Sequence, residues 1–409
     1  MADRSPIEWL RGPDGRQGAT WNPIVGCSVV SPGCTNCYAM RLAGTRMKTH
    51  PSRAGLTKDS KAGPVWTGEV RFMEQWLAQP LRWAKPRMIF VCAHADLFHE
   101  NVPDEWIDRV FAVMALCPQH TFQVLTKRPE RMREYLSRND VSLLDRWSKA
   151  FGPGTFRMSS HELMARLSPF TTPEHRALYH AAYPVFPLPN VWLGVSVEDQ
   201  RRADERIPIL LDTPAAVRWI SAEPLLGALD PARLCIAPKV AGSPRAGIHV
   251  DALRGRYVES GMPYIGAWDV DGPYPANASP RGLDLVVAGF ESGPRARPGH
   301  INWARALRDQ CAQAGVPFFW KQNGEYEDGG PAWGAAAGSA ADLDGYVFVA
   351  PDGCVYRTRE DAPRGAYAVR RVGKKASGRL LDGVIHDGYP GGAEMIASVL
   401  LVPEESHHG

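Results

Sequence analysis

Residues 283–289 read Leu-Asp-Leu-Val-Val-Ala-Gly, an apolar run flanked by the turn formers Gly282 and Gly289. Nothing in it alternates between polar and apolar, so both faces of the strand it predicts are covered. Two other runs read the same way: residues 88–93 (MIFVCA) and residues 191–197 (VWLGVSV). Such runs belong to parallel sheets. Working outward, further β-branched or apolar runs occupy residues 19–25, 121–126, 217–221 and 317–320. Helical patterns fall between them. Residues 104–116 open on Asp104-Glu105 after Pro103 and carry apolar residues at helical spacing. Residues 201–211 are similar, and residues 302–314 end at Gly315, a candidate C-cap. Strand–helix alternation of this kind predicts an α/β fold: a partial parallel (β/α) barrel of six to seven strands, with insertions and a small C-terminal appendage.

Three segments interrupt the alternation. Residues 137–189 and 228–281 are too long for ordinary connections and read as insertions. Residues 329–341 (GGPAWGAAAGSAA) read as a flexible linker. The expected division is a barrel over residues 1–326 and an appendage over 327–409, the latter with short strand-like runs at 345–350 and 353–358. The composition supports a folded core: 409 residues, 44% hydrophobic and 22% charged. A net charge of +3, from 47 basic and 44 acidic residues, gives no field strong enough to name a nucleic-acid or membrane partner. Residues 1–16 lack an apolar signal region and no stretch is long enough to span a bilayer, so a cytoplasmic protein is expected.

In parallel α/β folds, chemistry collects at the carboxyl ends of strands. Polar residues recur there: Asn22; His94, Asp96 and His99; Thr126, Lys127 and Arg128; Ser196 and Glu198; Ser221 and Glu223; Glu291 and Ser292; Lys321 and Gln322. The expectation is one polar mouth in which Glu198, Glu223 and Glu291 meet Lys127, Arg128 and Lys321. Of eight cysteines, Cys92, Cys117 and Cys311 lie in apolar contexts and read as core. Cys27, Cys34 and Cys37 instead crowd into one loop after the first strand, GCSVVSPGCTNCYA. Three thiolates leave one coordination position open. They suit zinc closed by a distant fourth ligand, or an iron–sulfur cluster with one iron free for a small molecule.

This loop, ending Cys34-Thr35-Asn36-Cys37-Tyr38-Ala39, resembles the radical S-adenosylmethionine (SAM) superfamily, although its first spacing is six residues rather than three. Over a longer span, TWNPIVGCSVVSPGCTNCYAMRLA, DLFHENVPDEWIDRVFAVM, FQVLTKRPERM, NVWLGVSVEDQ, WISAEPLLG, ESGPRARP and VGKKASGRLLDG resemble a phage and prophage family of three-cysteine-motif proteins, a domain of unknown function. The resemblance implies that Cys27, Cys34 and Cys37 ligate a [4Fe-4S] cluster. SAM would then be cleaved to a 5′-deoxyadenosyl radical acting on a substrate, possible classes being a nucleic acid or a nucleotide. Tyr38 matches the aromatic near the adenine, and Ser196 and Glu198 the ribose or methionine position. The superfamily's Gly-Gly-Glu-Pro motif is replaced by Ala93-His94-Ala95-Asp96, which leaves Asp96 as the candidate for the SAM amino group. Before the sixth-strand Glu291 stands Gly289-Phe290 rather than two glycines. Glu223 and Glu291 complete the cofactor-binding candidates.

Two rivals remain. One is a zinc- or iron–sulfur-stabilised nucleic-acid-binding protein without catalysis, for which Arg370, Arg371, Lys374, Lys375 and Arg379, a run that reads first as a solvated face, would hold phosphates. The other is a metal-dependent hydrolase using His94, Asp96, His99 and the glutamates. In that segment, DLFHE reads more simply as a loop cap.

Overall fold

The computed structural model describes residues 4–12, 15–138, 186–237, 248–259, 262–263, 281–333 and 344–391, with Leu143, Arg146, Trp147, Lys149 and Ala150. Seven strands form one sheet: β1 Gln17–Trp21, β2 Arg87–Val91, β3 Thr121–Thr126, β4 Val191–Ser196, β5 Val217–Ala222, β6 Leu285–Ala288 and β7 Phe318–Trp320. They lie side by side in chain order, and every pairing is parallel. The sheet curls into a half-barrel. The seven apolar runs are therefore the seven strands, with ends differing from the sequence reading by a few residues.

Helices follow β1 to β4 and β6, and the last four of them pack on one face of the sheet. They are α1 Tyr38–Gly44, α2 Asp104–Ala115, α3 Pro129–Leu136, α4 Gln200–Leu211 and α5 Ile301–Ala314. Local chemistry sets their ends. Asp104 and Glu105 occupy the first turn of α2, and Pro129 opens α3. The Asp199 carboxylate caps α4 by accepting from Arg202 N–H, and Gly315 ends α5 at φ 70°, a left-handed conformation that favours glycine. Ile107, Val110, Phe111, Ile207, Leu210 and Leu307 are fully buried on these helices, in one core with Ile89, Val91, Phe122, Val124, Leu193, Val195, Ile220 and Val286 from the strands.

The concave face takes the alternate residues, and the register stacks them in layers. Near the amino ends of the strands, Phe90, Leu125, Trp192, Trp219, Leu285, Val287 and Phe319 close around Trp9 and Leu10, carried by a short 3₁₀ turn from the N-terminus. Two close approaches depend on glycine. A Cβ on Gly194 would lie 2.5 Å from the Trp219 ring, and one on Gly18 would lie 2.6 Å from the Leu10 Cβ. Both outer strands are covered, which removes free edges. Ser5 N–H donates to the Gly18 carbonyl of β1, while residues 386–388 pair antiparallel with β7 through Trp320 N–H to His386 O and Gly388 N–H to Phe318 O.

Between β5 and β6 the insertion forms an antiparallel sheet of Leu234–Ala237, Ile248–Asp251, Arg256–Glu259 and Met262–Pro263; residues 238–247 and 264–280 lie outside the described residues. Most of the insertion expected at 137–189 also lies outside them. The appendage is a second antiparallel sheet, β8 Tyr326–Pro331, β9 Tyr346–Val349, β10 Val355–Tyr356 and β11 Tyr367–Arg371, in the order β8-β11-β9-β10. Gly329–Pro331, read as the start of a linker, thus belong to a strand; residues 334–343 lie outside the described set. The appendage docks on α5, where Trp303 Nε1 donates to Pro351 O and the Arg305 guanidinium meets Asp328.

The basic run forms ion pairs at the surface, as a solvated face does. Arg370 pairs with Glu327, Arg371 with Glu325, Lys374 with Glu8 and Arg379 with Asp387. These are surface pairs, and Lys375 forms none among the described residues. Among the described residues no helix is long and apolar enough to cross a membrane.

Candidate functional site

The polar residues expected at the strand ends do converge on the carboxyl mouth, but they are held by different partners from those expected. The cysteine loop lies across it. Gly26, at φ 95°, begins the loop by donating its N–H to the His94 carbonyl beyond β2. A Cβ there would stand 2.1 Å from the Glu69 carbonyl oxygen, so only glycine fits. Cys34 ends a 3₁₀ turn and Cys37 caps α1.

Two carboxylates clamp this loop from opposite strands. Glu198, fully buried after β4, accepts from Gly33 N–H at 3.2 Å and from Arg206 of α4 at 3.1 Å. Burial pushes its pKa up, but the Ser31 hydroxyl, Arg206, Lys127 and Gly33 N–H together hold it below the ordinary carboxylate value. Glu291, after β6, accepts from Asn36 Nδ2 at 2.9 Å and from the Arg297 backbone and guanidinium at 2.7–2.9 Å. Burial raises its pKa too, and the Arg297 and Asn36 hydrogen bonds more than offset that. Arg297 also reaches the Pro32 carbonyl. The segment from Ser31 to Cys37 is therefore fixed at both ends by ionised carboxylates.

A third carboxylate fixes Cys27. Asp96 is buried and accepts from Thr126 Oγ1, Phe98 N–H, Lys127 N–H and Arg128 Nη1 at 2.7–3.1 Å. In this structure its oxygens are thus engaged by the protein, capping its own loop and holding Arg128. Arg128 in turn reaches Cys27 Sγ at 3.8 Å, Ser28 Oγ at 2.6 Å and Glu100 at 2.6 Å. His99 Nε2 lies 3.0 Å from the same Ser28 hydroxyl, so the DLFHE segment is a capped, hydrogen-bonded loop. Burial pushes the Cys27 thiol up to about 12, and Asp96, Cys37 and Cys34 add to this while Arg128 opposes it. Cys37 is also raised, by burial first, against the Met40 and Ala39 N–H groups.

Glu223 pairs with Lys321 at 2.9 Å, a glutamate meeting one of the expected cations, and accepts from the Ser221 hydroxyl. Ser196 lies beside Ser221 in the β4–β5 register, and its carbonyl accepts from Arg206. The Tyr38 hydroxyl donates to the Ala93 carbonyl while the residue stays 50% exposed beside the loop. Among the described residues no three His, Cys, Asp or Glu side chains are drawn together as metal ligands. The three partly exposed thiols are close enough to perturb one another, yet they are not a preassembled triad.

Sequence reasoning missed Arg206, Arg297, Asn36 and Ser31. Arg206 had a legible signal. It shares the buried face of α4 with Ala203, Ile207 and Leu210, and a buried arginine demands a buried carboxylate. Arg297 carries no such periodicity.

Fold and site together define a parallel (β/α) half-barrel whose carboxyl mouth is spanned by a clamped cysteine loop. The chain belongs to the family described as proteins of unknown function (DUF5131), whose model matches residues 4–390. No curated protein and no solved structure matches it.

Proposed function

We propose that the chain is a radical-SAM-like enzyme, phage or prophage encoded and cytoplasmic, that cleaves S-adenosylmethionine reductively at a [4Fe-4S] cluster and acts on a nucleotide or nucleic acid. The observation that carries this reading is the placement of all three loop cysteines at the carboxyl mouth of a parallel half-barrel, on a segment clamped by Glu198 and Glu291. Three thiols from one loop are a donor set suited to a cluster with one open iron. The donor set supports the reading; a preassembled geometry does not. When bound, the cluster supplies the electron for SAM cleavage, and the protein supplies position and exclusion of water.

Each residue then has a task. Cys27, Cys34 and Cys37 hold the cluster. Arg128 lowers the cost of ionising Cys27, which burial otherwise keeps protonated. The half-exposed Tyr38 suits a purine ring, and Ser196, Ser221 and Glu223 offer hydroxyl and carboxylate partners to a ribose or amino group. The Lys127 ammonium forms no ion pair among the described residues, acting on Glu198 only through its field, and favours an anionic substrate.

Anaerobic purification, followed by assay of iron, sulfide and zinc and by addition of SAM with a strong reductant, tests this. About four irons and four sulfides per chain with release of 5′-deoxyadenosine are expected, and both are lost in Cys34→Ala. Zinc near one per chain without SAM cleavage would replace this reading with that of a metal-stabilised binding protein.

A further inference from the structure

Buried guanidinium groups at the mouth differ in one respect. Arg128 has Asp96 and Glu100, and Arg206 has Glu198. Arg53 is more deeply buried than either, at 2% exposure, and no carboxylate pairs with it among the described residues. Its Nη1 donates to the Ser52 carbonyl and hydroxyl, and its Nη2 lies 2.7 Å from His94 Nδ1. Burying a cation without a counter-charge is costly, and burial alone brings the Arg53 pKa down to about 10. At neutral pH it remains charged.

The partner's chemistry follows. Arginine has no acceptor, so Arg53 donates and His94 Nδ1 accepts. The imidazole therefore carries its proton on Nε2. Burial, then Arg53, depress the His94 pKa to about 4, which keeps the ring neutral. Its Nε2–H has no partner among the described residues, and the half-buried ring stands edge-on to Tyr38 at 6.1 Å. The backbone holds His94 firmly: its N–H donates to Asn22 Oδ1, and its carbonyl takes the Gly26 N–H that starts the cysteine loop. Two residues earlier, Cys92 has φ 55°, a conformation costly for a non-glycine residue, which turns the chain back across the mouth.

We propose that His94 Nε2–H, with the Arg53 charge behind it, binds an anionic oxygen of the substrate, a carboxylate or a phosphate, beside Tyr38. Arg53 is the positioning residue: it selects the tautomer and supplies the uncompensated positive charge. The proposal rests on the mouth being the substrate site but not on a cluster, so loss of SAM cleavage and loss of anion binding are separate results.

The test uses the anaerobically purified full chain labelled with ¹⁵N-histidine and titrated with inorganic phosphate and, separately, acetate. The expected result is an Nε2–H tautomer at His94 and a saturable shift of that nitrogen. Tighter phosphate binding would mark a phosphoryl group, and tighter acetate binding a carboxylate. Calorimetry should show phosphate affinity falling about tenfold or more in His94→Leu, the loss of one hydrogen bond to a charged group. In His94→Gln, whose amide keeps a donor, affinity is largely retained. Arg53→Met should weaken phosphate binding and move the His94 proton between ring nitrogens. An Nδ1–H tautomer in the wild-type chain would overturn the proposal, since it needs no variant to fold. So would a His94 resonance unmoved by either anion, or equal phosphate affinity in His94→Leu.

Discussion

The two ends of the half-barrel are built from the same strands with opposite chemistry. At the amino end the concave face is filled by Trp9, Leu10, Phe90, Trp192, Trp219 and Phe319, with Trp9 5.0 Å from Phe90 and 5.2 Å from Trp219. At the carboxyl end the next layer is Asn22, Lys127, Ser196, Ser221, Glu223 and Lys321, tied by ion pairs and hydrogen bonds. The first layer makes the fold stable by excluding water; the second gives up apolar burial to hold charged groups in place. The apolar layer and the polar mouth are thus separated by about two residues along each strand. Trp219→Ala should show this most strongly. Removing a fully buried indole is expected to cost about 3–5 kcal/mol, read as a lowered urea midpoint. Iron uptake by the surviving folded fraction should be unchanged. A variant that lost iron binding but kept its midpoint would invert the comparison.

The reverse experiment cuts the mouth. Glu198→Ala leaves Arg206 buried without its carboxylate and frees Gly33 and Ser31, at an expected cost of about 3 kcal/mol. Unlike Trp219→Ala, it should also release the cysteine loop, seen as faster proteolysis or hydrogen exchange around Ser31–Cys37. Loss of stability with an unchanged loop would show that Glu198 serves the core and not the site.

A third prediction concerns acid. His120 is buried at the start of β3, its Nε2 beside the Pro80 carbonyl, and burial brings its pKa from 6.5 down to about 4. The unfolded chain therefore binds a proton that the folded chain refuses. Its contribution to stability is complete above pH 6.5 and is lost as the pH falls toward 4. Glu198 and Glu291, both depressed, contribute stability above the ordinary carboxylate range that is lost only as the pH falls through their lower folded values. Stability should fall in two stages on acidification. His120→Gln should remove roughly 2 kcal/mol of the earlier stage, measured as urea midpoint against pH.

The seven strands were readable because buried parallel strands need uninterrupted apolar runs, and the helices between them because each buries one periodic face. The convergence of polar strand ends was readable from topology alone. The pairing within the mouth was not. Glu198 takes Arg206 from α4, eight residues on, where Lys127 or Arg128 was expected, and Glu291 takes Arg297 from the following loop. Distances between loops depend on how the sheet curls, and no short-range pattern encodes that. The partners of the basic run were unreadable for the same reason: Glu8, Glu325 and Glu327 reach it from segments far apart in the chain. Arg53 and His94, 41 residues apart, could not be paired from sequence at all.

The smallest effect expected is also the sharpest probe of the boundary between the layers. Gln123 points into the concave face from β3, beside Phe90 and Trp192 in register, and is fully buried. Among the described residues neither atom of its amide has a protein partner, and the indole N–H groups of Trp9 and Trp219 in the same apolar end are likewise unpaired. A buried amide without partners carries an uncompensated desolvation penalty. Gln123→Met keeps the length and removes the polar atoms, so the variant should gain about 1 kcal/mol in urea unfolding. It should leave iron content and phosphate affinity alone, because the residue lies a full layer below Lys127. A loss of stability would mean that Gln123 is satisfied by water shared with the two indoles. The amino end would then be a polar cavity sealed by tryptophans, and the contrast between the two ends would be one of solvent access, with polar groups at both.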